Sequence, residues 1–337
     1  MMFKRFLRLA RGTALFAAGV VLALPSLPAV ALDKVNFGTD WKAEAEHGGF
    51  YQAIATGIYA KHGIEVNLRP GGPQINQAQL LAAGQLDFNL ASNSFIPLNF
   101  LKEGVPMVAV AALFQKDPQA LLAHPGQGND SLAALKGKPI MVGGDTRIGS
   151  WLFLKAKFGY TDDQIRPYTF NIAPFLADPK AIQQGYVTSE VLTMQEQGVK
   201  PVVMLLGDNG YTGYAAMIET TTKLVAANPD LVQRFVDASI EGWYSFLYGD
   251  PAPANALIKK DNPEQTDALL TFGRDKMKEY GIVDSGDAKT FGIGAMSEQR
   301  WNDFFTQMSA QGVYPATMDW KHAYTLQFVN KKVGMKN

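Results

Sequence analysis

The chain contains no cysteine. That excludes disulfides, thiolate nucleophiles and thiolate metal sites together, and with them a lipid-anchored N-terminus, which needs a cysteine at the cleavage site. Histidine is scarce. His47, His62, His124 and His322 are scattered, and His62 suits a solvated imidazole at a helix C-terminus. No Gly-x-Ser-x-Gly elbow and no His-Glu-x-x-His helix occurs. Carboxylates are plentiful, but no pair has a spacing diagnostic of acid–base work. These absences call for no cofactor and no metal and point away from an enzyme.

An excess of either charge is also lacking, with 31 basic and 31 acidic residues. The balance changes if the first 31 residues are set aside. Lys4, Arg5, Arg8 and Arg11 precede an apolar run from Thr13 to Leu24, and Ala29-Val30-Ala31 supplies a small-x-small site. This is the pattern of a secretory leader cleaved after Ala31. The run is too short to be a membrane anchor, which takes about 20 residues. Without the leader, 27 basic residues face 31 acidic ones, a net charge of about −4. Such a chain has no electrostatic reason to bind nucleic acid or anionic lipid. An exported chain without disulfides or anchor fits the periplasm of a Gram-negative cell.

The 306 residues from Leu32 onward exceed one ordinary core and suit two α/β lobes. The early chain alternates strands (34–38, 64–69, 86–91, 107–114) with helices (48–62, 76–83, 95–102), each helix stopped by glycine. This argues for mostly parallel sheets covered on both faces. A second unit follows, with strands at 139–143, 167–170 and 201–206, a helix at 150–158, and a strand and helix within 181–197. Plausible linkers are 124–129 and 207–210, placing lobe 1 at 32–123 plus 211–337 and lobe 2 at 124–210. Two crossings between lobes make a clamshell hinge. From Tyr211 one strand re-enters lobe 1, and helices follow at 229–248, 263–280 and 297–311.

In open α/β sheets, ligands bind beyond the carboxyl ends of strands and at helix N-termini. The first such junction, Thr39 to Tyr51, sets Trp41, Phe50 and Tyr51 beside Asp40, Glu46 and His47. Aromatic faces with acceptors suit a flat heteroaromatic ligand. The plainer alternative makes Asp40 a turn residue, His47 a cap, and Phe50 and Tyr51 core. Ser92 and Asn93 either cap the next helix or contact ligand. Phe114 is a stacking wall or core. Gly143 to Ser150, with Thr146 and Arg147, resembles a loose anion cradle but lacks the Gly-Lys-Ser/Thr ending of a phosphate loop; Arg147 pairs instead with an acid across the cleft in the alternative reading. Tyr186 and Glu190 bring a further aromatic and carboxylate. Glu190 either accepts from an amino-pyrimidine edge or is an ordinary first-turn acid. Asp208 to Tyr211 suits hinge geometry better than chemistry.

Asp40-Trp41, His47, the run Gly57 to Val66, Gly84-Gln85-Leu86-Asp87 and Gly185 to Glu190 resemble the NMT1/THI5-like solute-binding proteins of ABC importers. The resemblance spans roughly 33–248, and the Trp41-to-His47 spacing is most similar to the thiamine-pyrimidine branch. It implies a type II periplasmic-binding fold, two lobes on a two-strand hinge. It also implies a hydroxymethyl- or formylaminomethyl-pyrimidine ligand, with riboflavin, taurine or other sulfonates as sister-branch alternatives. The implied partners are a membrane permease and ATPase, with a monomeric receptor. One branch is an enzyme, a pyrimidine-phosphate synthase with a lysine and a histidine after its third strand and a cysteine-rich iron motif. Here Ala91 and Phe95 stand at the lysine and histidine positions and cysteine is absent, which argues against that chemistry.

Overall fold

The computed structural model describes residue 2, residues 31–72 and residues 75–335. The leader expected at 1–31 lies outside the described residues but for its ends. Among the described residues no helix is long and apolar enough to cross a membrane.

Among the described residues, ten strands form two five-stranded sheets. In chain order they are β1 (Asp33–Gly38), β2 (Ile64–Arg69), β3 (Phe88–Asn93), β4 (Met107–Phe114), β5 (Gln119–Ala123), β6 (Ile140–Val142), β7 (Ile165–Pro167), β8 (Ile182–Tyr186), β9 (Val202–Leu205) and β10 (Ala215–Thr221). The first sheet runs β2-β1-β3-β10-β4 and the second β7-β6-β8-β5-β9. β1 is parallel to β2 and β3, and β10 is antiparallel to β3 and β4. The second sheet repeats the scheme, with β6 parallel to β7 and β8 and β5 antiparallel to β8 and β9. Each sheet thus takes in, against the grain, the strand that follows a crossing. This is a type II periplasmic-binding architecture.

The crossing points correct the sequence reading. β5 belongs to the second sheet, so the chain first crosses at 115–118, ahead of the linker expected at 124–129. The apolar run 119–123 carries no mark of which sheet it joins. The second crossing, 206–214, contains the expected Gly207–Gly210 segment as a 3-10 turn. Arg300 ties the two crossings together. Its Nε donates to Thr212 O at 2.7 Å, its Nη2 to Gly213 O at 3.1 Å and to Gln115 O, and its guanidinium lies 4.0 Å from the Tyr214 ring centre.

The first sheet is held by helix Pro229–Tyr248. Asn228 Oδ1 accepts from Leu231 N, and proline occupies the first turn, where its missing N–H costs nothing. Its buried face includes Val232, Phe235, Val236, Ser239, Ile240 and Trp243. Phe235 stacks on Phe88, and Trp243 meets Phe50 and Phe114 edge-on. Two glycines allow this helix to reach Gly48–Ala55. A Cβ on Gly49 would come within 2.3 Å of the Trp243 ring, and one on Gly242 within 2.3 Å of Gly49 O. The close approach fixes the N-terminal end of Gly48–Ala55.

Four element boundaries also differ. The helix expected over 48–62 is two helices, Gly48–Ala55 and Ile58–Lys61, because Gly57 turns left-handed at φ 69°. β3 lies two residues beyond the expected strand and includes Ser92 and Asn93. Phe170 is outside β7 and left-handed at φ 60°. The helix expected over 263–280 is Asp267–Glu279, capped by Thr266, with Ala252–Asp261 a separate helix before it.

An ionisable side chain lies inside the first sheet. Glu219 of β10 is fully buried, with Asn89 Nδ2 donating to it at 3.3 Å. Burial pushes its carboxyl up to about 8.

Candidate functional site

A cavity of about 110 Å³ lies between the two sheets. Its first wall is the loop after β1. Thr39 N donates to Arg69 O, and the Trp41 carbonyl accepts from Thr39 Oγ1 and Gly71 N, each at 3.0 Å. Gly71 is required there, because a Cβ would come within 2.4 Å of Thr39 O. Asn262 Nδ2 donates to Ala43 O at 2.8 Å and anchors the far end. The loop presents Asp40, Trp41, Glu44, Glu46 and His47 to the cavity. His47 is 2 % exposed; its Nε2 meets Asp40 Oδ1 at 3.0 Å and its Nδ1 has no partner. A carboxylate can only accept, so Nε2 donates to Asp40.

The second wall comes from the other sheet. Gln119 Nε2 donates to Thr146 Oγ1 at 2.8 Å, and Ser150 Oγ donates to Gln119 Oε1. Gln184 Oε1 accepts from Gly143 N. Glu190 accepts from Tyr186 N at 2.8 Å and Ser189 Oγ at 2.7 Å. Phe170 leans over Gly143, where a Cβ would come within 2.9 Å of its ring.

The two walls touch. Trp41 and Phe170 have ring centroids 4.4 Å apart. Thr188 Oγ1 donates to the buried Glu46 carboxylate.

Of the residues singled out in the sequence, Asp40, Trp41, Glu46, His47, Ser92, Asn93, Phe114, Thr146, Tyr186 and Glu190 all line the cavity. Arg147 does not. It is exposed on the short helix Gly144–Ile148, so the expected anion cradle lacks its cation at the cavity. Several residues keep the plainer role as well. Asn93 Oδ1 accepts from Phe95 N as a cap, and Phe114 packs on Trp243. Phe50 and Tyr51 are core. Ala91 and Phe95 are buried in the core and offer no functional group.

Sequence reasoning passed over Glu44, Asp117, Phe170 and Gln184, which also line the cavity. Glu44 lay within the first junction beside more conspicuous neighbours. Asp117-Pro118 follows an apolar strand, a turn signal that marked the true crossing. Phe170 and Gln184 carried no signal, since a chain turned left-handed at a phenylalanine and a strand glutamine facing inward are decided by packing.

The lining holds five carboxylates, Asp40, Glu44, Glu46, Asp117 and Glu190, and no lysine or arginine. Burial pushes Asp117 up to about 7. Glu44 lies well above the usual carboxylate range, through burial and then the charges of Glu46, Glu190 and Asp40. Glu46 is raised by burial, against the Thr188 hydrogen bond. The Tyr186 hydroxyl is raised by burial and by Asp117, Asp40, Glu44 and Glu46. Among the described residues no group of histidines and acids is arranged to hold a metal ion.

The fold defines the class. The periplasmic aliphatic sulphonate binding protein of Escherichia coli superposes with a TM-score of 0.64 over 86% of this chain and 91% of its own, at 14% identity. The NMT1/THI5-like family model matches residues 44–254, and the chain belongs to that family. The riboflavin-binding protein RibY of Chloroflexus aurantiacus is 26% identical over 306 residues, 88% of this chain and 86% of its own. A Haemophilus influenzae protein named for thiamine biosynthesis is 29% identical over 128 residues, 37% of this chain and 38% of its own.

Proposed function

We propose that this protein is the periplasmic solute-binding receptor of an ABC importer, and that it captures a small nitrogen heterocycle, a single-ring pyrimidine precursor of thiamine. The observation that carries the reading is the cavity between the sheets, with Trp41, Phe170 and Tyr186 as aromatic walls and carboxylates at its edge. Flat rings gain from stacking, and exocyclic amino groups need acceptors. Lobe closure would trap the ligand, and the closed monomer would dock on a membrane permease driven by its ATPase. The protein acts by binding and release, without catalysis.

A second reading is riboflavin. The relative that aligns over most of the chain is a riboflavin-binding protein. A three-ring flavin with its ribityl chain needs lobes wider apart than the Trp41–Phe170 contact leaves them. Sulfonates are disfavoured, because no lysine or arginine lines the cavity.

The test is a thermal-shift and calorimetry panel of hydroxymethyl- and formylaminomethyl-pyrimidine, riboflavin and taurine. The pyrimidines should raise the melting temperature. Riboflavin alone doing so would replace the ligand. Loss of pyrimidine uptake in a deletion strain would support transport, and unimpaired uptake would oppose it.

A further inference from the structure

We propose that the Gln184 amide is a specificity-determining donor of the cavity, reading a hydrogen-bond acceptor on the edge of the ligand's ring, and that the Asn93 amide does the same from the other sheet. The proposal deepens the function given above and rests on the same cavity.

An amide side chain has one donor end and one acceptor end, and a backbone contact tells those of Gln184 apart. Gln184 Oε1 accepts from Gly143 N at 2.6 Å. A backbone N–H can only donate, so the oxygen lies on Gly143 and Nε2 is the opposite end. Gln184 is 8 % exposed and lines the cavity, and among the described residues its Nε2 donates to no protein atom. A Cβ on Gly143 would lie 3.5 Å from Gln184 Nε2 and 2.9 Å from the Phe170 ring. The donor and the aromatic wall therefore border the same glycine, which sets the donor at the rim of a ring held against Phe170.

Asn93 repeats the arrangement in the first sheet. It ends β3, which holds the same place in that sheet as β8 in the second. Its Oδ1 accepts from Phe95 N at 3.1 Å, so the capping bond fixes Nδ2 as the donor end. Asn93 is half-buried and lines the cavity, and among the described residues its Nδ2 also donates to no protein atom. The lining's other histidine and amide side chains are engaged. His47 Nε2 donates to Asp40, and Gln119 uses both ends of its amide on Thr146 and Ser150. A buried donor left without an acceptor is costly, and a site built around one rejects an analogue that lacks the matching acceptor. Pyrimidine ring nitrogens are such acceptors, and a ring carbonyl is another.

The test uses the mature protein and three probes: 4-amino-5-hydroxymethyl-2-methylpyrimidine, the matching aniline in which both ring nitrogens are C–H, and riboflavin. Gln184→Glu and Asn93→Asp keep the oxygen that each backbone N–H needs and remove only the amide donor. Calorimetry should show the unsubstituted protein preferring the pyrimidine to the aniline by about tenfold or more. That preference should shrink severalfold in each variant. Reading the ratio of the two affinities cancels the general effect of the added carboxylate, and a merely structural amide would leave the ratio unmoved. If a variant fails to fold, the pyrimidine-to-aniline ratio of the unsubstituted protein still decides. Pyrimidine and aniline binding equally well, or a ratio unchanged in both variants, would overturn the donor proposal and leave the pyrimidine reading standing. Riboflavin binding that Gln184→Glu weakens, without pyrimidine binding, would do the reverse. Riboflavin binding unaffected by either variant, without pyrimidine binding, would sink both.

Discussion

The Trp41 and Phe170 rings meet across the cleft at 4.4 Å with their planes 49° apart. One comes from the loop after β1 and the other from the segment after β7, so each sheet supplies one ring. The Phe170 backbone is left-handed, a conformation costing a non-glycine residue roughly 1–2 kcal/mol. Packing against Trp41 and Tyr168 holds it there.

Trp41→Ala should weaken ligand binding by about 1–3 kcal/mol, the range for a central aromatic anchor. Phe170→Gly is the more informative partner. Glycine adopts a positive φ without strain, so the substitution removes the ring and leaves the backbone at ease. Calorimetry should show a loss similar to that of Trp41→Ala. Unchanged affinity in either variant would remove that ring from the site.

Thr188→Val tests closure. The hydroxyl donates to Glu46 across the cleft, and its loss leaves a buried acceptor unpaired in the closed form, costing about 1–3 kcal/mol. Affinity should fall by about tenfold or more. Small-angle scattering of the ligand-saturated protein should show a more open population. An unchanged scattering profile and affinity would mean that this contact does not hold the lobes.

Gly71→Ala should disturb the site without touching ligand. Its Cβ would lie 2.4 Å from Thr39 O and 2.8 Å from the Asp40 carbonyl carbon, both backbone atoms that cannot swing aside. Overpacking of this kind costs about 1–3 kcal/mol. The Trp41 loop should shift, lowering both the melting temperature and ligand affinity. A thermal melt and affinity equal to the parent would refute the positioning role.

Glu219 makes stability depend on pH. Its folded carboxyl is raised by burial to about 8, above its value in the unfolded chain of about 4.3. The folded state therefore binds more protons between those values, and stability is fully present below the lower one and declines up to about pH 8. Asp117, raised to about 7, adds to the decline over the lower part of the window. Glu219→Gln keeps an acceptor for Asn89 and abolishes the charge. Melting temperatures from pH 5 to 8 should fall less steeply in the variant, with the largest gain at pH 8. Parallel curves would contradict the assignment.

The legible part of the fold follows from local rules. Helix Pro229–Tyr248 has a capping asparagine, a first-turn proline and a one-sided apolar face, and it forms where those signals place it. β4 is a continuous apolar run buried along its whole length. The signals that failed were those that needed a partner to interpret. The run 119–123 is a plain apolar strand, and only its pairing with β8 and β9 assigns it to the second sheet. Gly57 could have been an ordinary residue within one long helix until its left-handed turn split it.

The sequence by itself determined that the chain is free of disulfides, is built of alternating strands and helices in two units, and carries aromatic and acidic residues at its strand ends. Composition and periodicity are properties of neighbouring residues, so they survive without coordinates. Tertiary structure decided which of those residues meet. It placed Trp41 against Phe170, set Thr188 on Glu46, left Arg147 outside, and gathered five carboxylates around one cavity with no lysine or arginine among its lining residues. Trp41 and Phe170, like Glu46 and Thr188, are more than a hundred positions apart, and only the packing of two sheets brings their charges and ring faces together.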